Sequence, residues 1–211
     1  MTKIDKMSRL VEKADAKSAK RARKKDDLAD SAIAALKQLG YARTSLRDIA
    51  ELSGVAVGTL HYYFEDKVDL ITYCVRRYKI SFMKEMQSIL SDDVEATQLA
   101  ERFIKGLSRS IRRDAETHRL WYDIRSQAMF DPAFHEVVQD IENGLIDIVG
   151  EFLTRTGNTH SEATPVYLVL DAAFRFHLQK YLAGDQSMLA RFEAQVSMLL
   201  ASITAAPTSG D

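Results

Sequence analysis

Little in this chain interrupts a helix or closes a covalent bridge. Its 211 residues include three prolines, nine glycines and one cysteine, Cys74. So few turn formers between long apolar periodic stretches exclude a sheet-rich fold and favour helices. One cysteine cannot form an intrachain disulfide, which fits a reducing cytoplasm. No apolar run reaches the roughly eighteen residues of a membrane helix. The opening MTKIDKMSRL lacks the apolar centre of a secretory signal. Signatures of catalysis are missing too: no Gly-rich phosphate loop and no nucleophile motif. The five histidines, His61, His118, His135, His160 and His177, are scattered without metal-ligand spacing. No enzyme activity, cofactor or metal is therefore expected.

What is present is 46% hydrophobic and 28% charged residues, enough for the core of one or two small domains. The net charge of −1 hides an asymmetry. Residues 1–25 hold ten Lys/Arg against three acidic residues, an excess of +7, which leaves −8 for the remainder. The cluster Lys17, Lys20, Arg21, Arg23, Lys24 and Lys25 reads either as a solvated terminus or as a basic arm that neutralises phosphates or enters a minor groove.

Residues 1–20 carry a weak stripe (Ile4, Met7, Val11, Ala14) that leaves a helix there open. The first well-marked helix is predicted from about Asp26 to Leu39, with Leu28, Ala32, Ala35, Leu36 and Leu39 inward and Gly40 as its stop. Short helices follow over 45–53 and 57–64, then longer ones over 67–90, 95–113, 117–130, 132–157, 165–183 and 186–203. Residues 204–211 are expected to be a disordered tail.

The informative stretch is TSLRDIAELSGVAVGTLHYYFEDKVDLI, residues 44–71. Thr44 or Ser45 is placed to cap the first short helix, and Ser45 with Asp48 approximates a capping box. Gly54 stands where the chain must turn sharply, with positive φ expected. Val55, Leu60 and Phe64 anchor the second helix. Two short helices joined by Gly54-Val55-Ala56 form a helix-turn-helix, whose second helix enters the major groove. Its outer face offers Val57, Gly58, Thr59, His61, Tyr62 and Tyr63. Hydroxyls suit phosphates or base edges, Val57 suits a thymine methyl, and Gly58 permits close backbone approach. Thr44 and Ser45 join this DNA-facing set and Arg47 and Lys67 add charge, although Tyr63 fits a packing role equally well.

This ordered set resembles the TetR family of regulators over about Leu28–Ile71, a fifth of the chain. The matching residues are Ala32, Gly40-Tyr41, Thr44-Ser45, Arg47-Asp48-Ile49-Ala50, Gly54-Val55, Gly58-Thr59-Leu60, Tyr63-Phe64, Lys67 and Leu70. The resemblance implies that Ser45, Arg47, Val57, Gly58, Thr59, His61, Tyr62, Tyr63 and Lys67 lie against DNA. Two features depart from the family pattern. Ala56-Val57 stand where many members have serine and lysine, and His61-Tyr62 reverses the commoner order. Which base each residue reads therefore does not carry over.

Beyond about residue 75 the resemblance fades. The helix at 165–183 is apolar nearly all round, so both faces should be buried. In similar proteins the last two helices form a four-helix bundle with a second subunit, which implies a homodimer on a near-palindromic operator. Phe103, Trp121, Tyr122, Arg125, Met129, Phe130, Phe134, Phe174 and His177 are either an aromatic core or the lining of a small-molecule pocket. Arg125 reads as an anchor for an acidic ligand or as the partner of a neighbouring carboxylate. Asp171 and Arg175 have i, i+4 ion-pair spacing.

The fold class expected is all-α, with about nine helices. A basic arm (1–25) precedes a three-helix helix-turn-helix DNA-binding domain (26–71), and a helical ligand-binding and dimerisation domain (72–203) follows. The function expected is a DNA-binding transcriptional regulator, in its fullest form a repressor released from its operator by a small apolar or amphipathic effector. The alternative is a DNA-binding dimer without a small-molecule ligand, controlled by a protein partner or acting architecturally.

Overall fold

The computed structural model describes residues 3–41, 44–158 and 160–204, with side-chain surroundings described for 15–41, 44–158 and 160–203. Among the described residues the chain forms eight α-helices and no strand. It divides into two compact units, Met1–Cys74 and Val75–Asp211. No described helix is long and apolar enough to cross a membrane.

The first unit holds α1 (Lys3–Leu39), α2 (Leu46–Leu52), α3 (Val57–Tyr63) and the start of α4 (Lys67–Leu90). Helix α1 extends well before Asp26. No glycine or proline stands between Lys3 and Leu39, and Ala, Lys and Arg are strong helix formers, so nothing stops propagation. At about 1.5 Å per residue it is roughly 55 Å long. Leu28, Ala29, Ala32, Ala35 and Leu36 are buried, with Ile49, Ala50, Leu60, Phe64, Leu70 and Ile71 completing this unit's core. Leu39, in the last turn, is left exposed.

Helix α2 is fixed at both ends. Ser45 accepts from the Asp48 amide at 3.2 Å while its own amide donates to the Asp48 carboxylate at 2.7 Å. The Ser45 hydroxyl, donating to the same carboxylate at 2.6 Å, and then the Ser45 amide lower the Asp48 pKa. At the other end Gly54 has φ +63°, Val55 N–H donates to Ala50 C=O and Gly54 N–H to Glu51 C=O. That pair of bonds is a Schellman stop, and it aims α3 away from α2.

The second unit contains the rest of α4, then α5 (Ala96–Gln127), a 3-10 turn (Pro132–Phe134), α6 (His135–Arg155), α7 (Ala163–Leu182) and α8 (Met188–Thr204). The two helices read over 95–113 and 117–130 are one helix with a kink at Asp114 (φ −122°, ψ 21°). Arg113-Asp114-Ala115 contains no glycine or proline to end the helix, so the backbone bends and resumes. Arg113 braces the bend through Asp114 and Glu85, each 2.7 Å away. The core is built from Phe82, Met86, Phe103, Ile111, Phe152, Phe174 and Phe192, with Phe103 stacked on Phe152 at 4.7 Å.

Helix α7 is buried on one face only: Val166, Tyr167, Leu170, Phe174, His177 and Leu178 point inward. Leu168, Val169 and Phe176 are exposed on this chain, as is Met198 of α8. The tail expected to be disordered lies outside the described residues except Thr204, which ends α8.

Candidate functional site

Six of the residues read as DNA-facing converge on one open cleft in the first unit. Thr44, Ser45, Arg47, Val57, His61 and Lys67 line it together with Leu46. The three-residue turn closed by Gly54 brings the start of α3 beside the start of α2, which places Val57 and His61 near Ser45 and Arg47. Gly58, Thr59, Tyr62 and Tyr63 belong to the same short helix. Tyr62 is 66% exposed and packs edge-on against the half-buried Tyr63, at 4.9 Å between ring centres.

Several of these side chains are also tied into the fold. Thr44 is buried, and its hydroxyl donates to the Gly40 carbonyl. Lys67 donates from Nζ to the Tyr41 carbonyl at 2.9 Å and sits 4.2 Å from the centre of the Tyr41 ring. Partial burial lowers its pKa, opposed by the Asp48 charge. Helix α3 has no side-chain cap, because Ala56 occupies the cap position. A side chain at Gly58 would meet nothing within 4 Å. Glycine is thus not required there by packing, although it weakens a helix interior by up to about 1 kcal/mol.

The basic segment is the N-terminal part of α1 rather than an extended arm. Lys17, Lys20, Arg21, Arg23 and Lys24 are exposed. The Arg21 guanidinium lies 5.4 Å from the Tyr62 ring centre, and Lys25 Nζ lies 4.7 Å and 4.4 Å from those of Phe64 and Tyr73. An α-helix about 10–12 Å across does not enter a minor groove about 6 Å wide.

The second unit holds a partly open chamber with a water-accessible interior of about 70 Å³. Three of the residues read as pocket-lining reach it: Phe103, Tyr122 and Phe174. The others lie elsewhere. Trp121 and Phe134 are fully buried in the core. His177 is buried with Nδ1 2.7 Å from the Ala173 carbonyl, while Met129 and Phe130 are exposed. Arg125 pairs with Asp171 of α7 at 2.5 Å and Glu142 of α6 at 2.6 Å. Asp171 also accepts from Tyr122 Oη at 2.9 Å, so it serves Arg125 and Tyr122 rather than an intrahelical pair with Arg175. Arg175 instead stacks over the Tyr122 ring.

Sequence reasoning missed the chamber's polar groups: Lys79, His118, Tyr167 and Asp171. Lys79 looks like one more charge in the run Arg76-Arg77-Tyr78-Lys79. Its register with buried Val75, Phe82, Met86 and Leu90 was the available signal. His118 is buried between Tyr78 and Ser110, with Tyr78 Oη 2.9 Å and Ser110 Oγ 3.2 Å from Nε2. Burial, with the nearby Lys79 and Arg113 charges, pushes its pKa well below the usual imidazole range. No group of three or more potential metal ligands occurs among the described residues.

Residues 28–74 match the sequence profile described as bacterial regulatory proteins, tetR family. The chain is 22% identical over 116 residues to the HTH-type transcriptional regulator BetI of Proteus mirabilis. That match covers 54% of this chain and 58% of BetI, little more than half of the relative's length. The fold is similar to that of FadR from Bacillus subtilis, solved with stearoyl-CoA, at a TM-score of 0.69 and 18% identity over 84% of this chain and 98% of that one. It is also similar to SmeT, the repressor of the Stenotrophomonas maltophilia multidrug efflux pump SmeDEF, at a TM-score of 0.64 and 20% identity over 88% and 94% of the two chains. Residues 28–74 thus carry the N-terminal segment of the TetR type, within an all-helical fold similar to that of solved transcriptional regulators.

Proposed function

We propose that this protein is a sequence-specific DNA-binding transcriptional regulator that acts as a repressor, works as a homodimer, and leaves its operator when a small molecule enters the second unit. The observation that carries the reading is the outer face of α3. Val57, Gly58 and Tyr62 leave apolar and aromatic groups and a bare backbone facing solvent, with no packing reason for the glycine. A face built this way suits a major groove, where apolar groups meet thymine methyls and a glycine admits the phosphate backbone. Ser45, Arg47, Thr59, His61, Tyr63 and Lys67 supply the polar contacts around it. Thr44 contributes by holding the start of α2 in place.

In this reading residues 1–25 add phosphate contacts through α1, residues 26–71 bind DNA, and residues 72–203 hold the effector and the dimer contact. Dimerisation through α7 and α8 is supported by the apolar side chains they leave uncovered: Leu168 at 55% exposed, Phe176 at 54%, and Met198. A twofold pair of recognition helices calls for a near-palindromic site. The effector reading is supported by the chamber, and by stearoyl-CoA being bound by the FadR neighbour. A ligand favouring a dimer with wrongly spaced recognition helices would weaken DNA binding by a coupling of about 1–3 kcal/mol.

Selection from a pool of randomised duplexes tests this function. Full-length protein is expected to enrich a sequence with two half-sites related by a dyad. Enrichment of nothing, or of a site without a dyad, contradicts the dimeric DNA reader.

A further inference from the structure

Lys79 is 3% exposed on the inward face of α4. Its Nζ lies among aromatic rings, 4.9 Å from the ring centre of Trp121, 5.0 Å from that of Phe82 and 5.7 Å from that of Tyr78. Among the described residues it has no ion-pair or hydrogen-bond partner. Asp171 shares the chamber wall, but its two oxygens are engaged by Tyr122 and Arg125. Tyr167 of α7 also lines the chamber, and its hydroxyl is buried with no partner.

A buried ammonium without a counter-ion is costly, and so is a buried hydroxyl without a hydrogen bond. A ligand carboxylate answers the ammonium, offering negative charge and several acceptor positions. The remaining walls are apolar and aromatic, with Phe82, Phe103, Phe174 and Leu170 among them. The interior has room for on the order of five water molecules, the bulk of one aromatic ring. A longer ligand would have to leave the chamber through its open side. Asp171 on the wall disfavours a second negative charge on the ligand.

We infer that the chamber binds a small apolar monocarboxylate of single-ring size, its carboxylate paired with Lys79 Nζ. This inference rests on reading the second unit as the effector unit, and it names the effector's chemical class. Burial pushes the Lys79 pKa down to about 7, so a bound anion restores the charged form and ties affinity to pH. Other ionisable groups surround the chamber on α4, α5 and α7. His118 of α5 is kept neutral by burial, the phenols of Tyr78, Tyr122 and Tyr167 are pushed up by burial, and Asp171 of α7 remains paired with Arg125.

The test is titration calorimetry on the full chain with benzoate and with benzamide, its neutral isostere. Benzoate is expected to bind about tenfold or more tightly than benzamide. Lys79→Met should abolish that preference. In the unsubstituted protein benzoate affinity should fall between pH 6 and about pH 9, which keeps the test valid if the variant misfolds. Equal binding of the two compounds, no binding of benzoate, or benzoate binding that survives Lys79→Met overturns the inference. Release of the selected duplex, measured in parallel, separates the two readings. Benzoate bound through Lys79 with DNA affinity unchanged supports the site and defeats the effector role. Benzamide that binds as well as benzoate and also releases DNA defeats the charge pairing and leaves the effector role standing.

Discussion

The Arg125 guanidinium meets the Asp171 carboxylate at 2.5 Å, joining α5 to α7 beside the chamber. Arg125 reaches Glu142 of α6 with its Nε as well, so one side chain ties three helices. Both ends of the pair are largely buried, which makes the pair more costly to break than a surface bridge. Arg125→Met leaves two carboxylates unmatched and is expected to destabilise the protein by about 2 kcal/mol. The double variant with Asp171→Asn should cost less than the sum of the single changes, a coupling that urea denaturation of the four proteins measures directly.

Lys79→Met should stabilise the unliganded protein by several kcal/mol at pH 6. The folded-state pKa of Lys79 lies near 7 against 10.5 for an unburdened lysine. Between those values the unfolded chain binds the proton and the folded chain does not, so stability rises with pH. The penalty is complete below pH 7 and relieved as pH climbs toward 10.5. Thermal melts of both proteins across pH 6–10 should show the gap closing. A gap independent of pH would mean that the methionine acts by packing alone.

Gly58→Ala separates stability from function. A methyl group there has open space, and alanine is the better helix former, so the fold should gain up to about 1 kcal/mol. Duplex affinity should nevertheless fall, because the added carbon occupies the surface offered to the phosphate backbone. Denaturation midpoints and anisotropy titrations on the same preparation report the two effects. Unchanged affinity would remove Gly58 from the interface.

Leu168→Glu combined with Phe176→Glu places charge on the exposed face of α7 without entering the core. Light scattering should then give the mass of one chain where the parent gives two. Duplex affinity should drop with it, since each half-site is bound alone. A dimer that survives both charges would place the subunit contact elsewhere.

Local signals were legible in the sequence, and non-local ones were not. Ser45 with Asp48 and the positive φ of Gly54 follow from spacing alone, because caps and turns are made by neighbours in the chain. The kink at Asp114 was visible as an interruption but not as a bend, since continuity there depends on what braces Arg113 from α4. The one-sided burial of α7 is likewise decided by helix packing and not by its nearly uniform apolarity. The chamber was least legible. Trp121 and Tyr122 are adjacent, yet only Tyr122 lines it, and Lys79 hides within a basic run. Periodicity names the face a residue shares, whereas the identity of the opposite wall comes from helices far apart in the chain.

The central claim is that the outer face of α3 reads DNA, and Val57→Asp with Thr59→Asp tests it most directly. An acidic residue in the first turn of a helix favours the fold, so stability should be kept while the face becomes repulsive to phosphates. Anisotropy titration of the selected duplex should show affinity reduced by about a hundredfold or more, with an unchanged melting profile. Full affinity in a folded double variant would contradict the account.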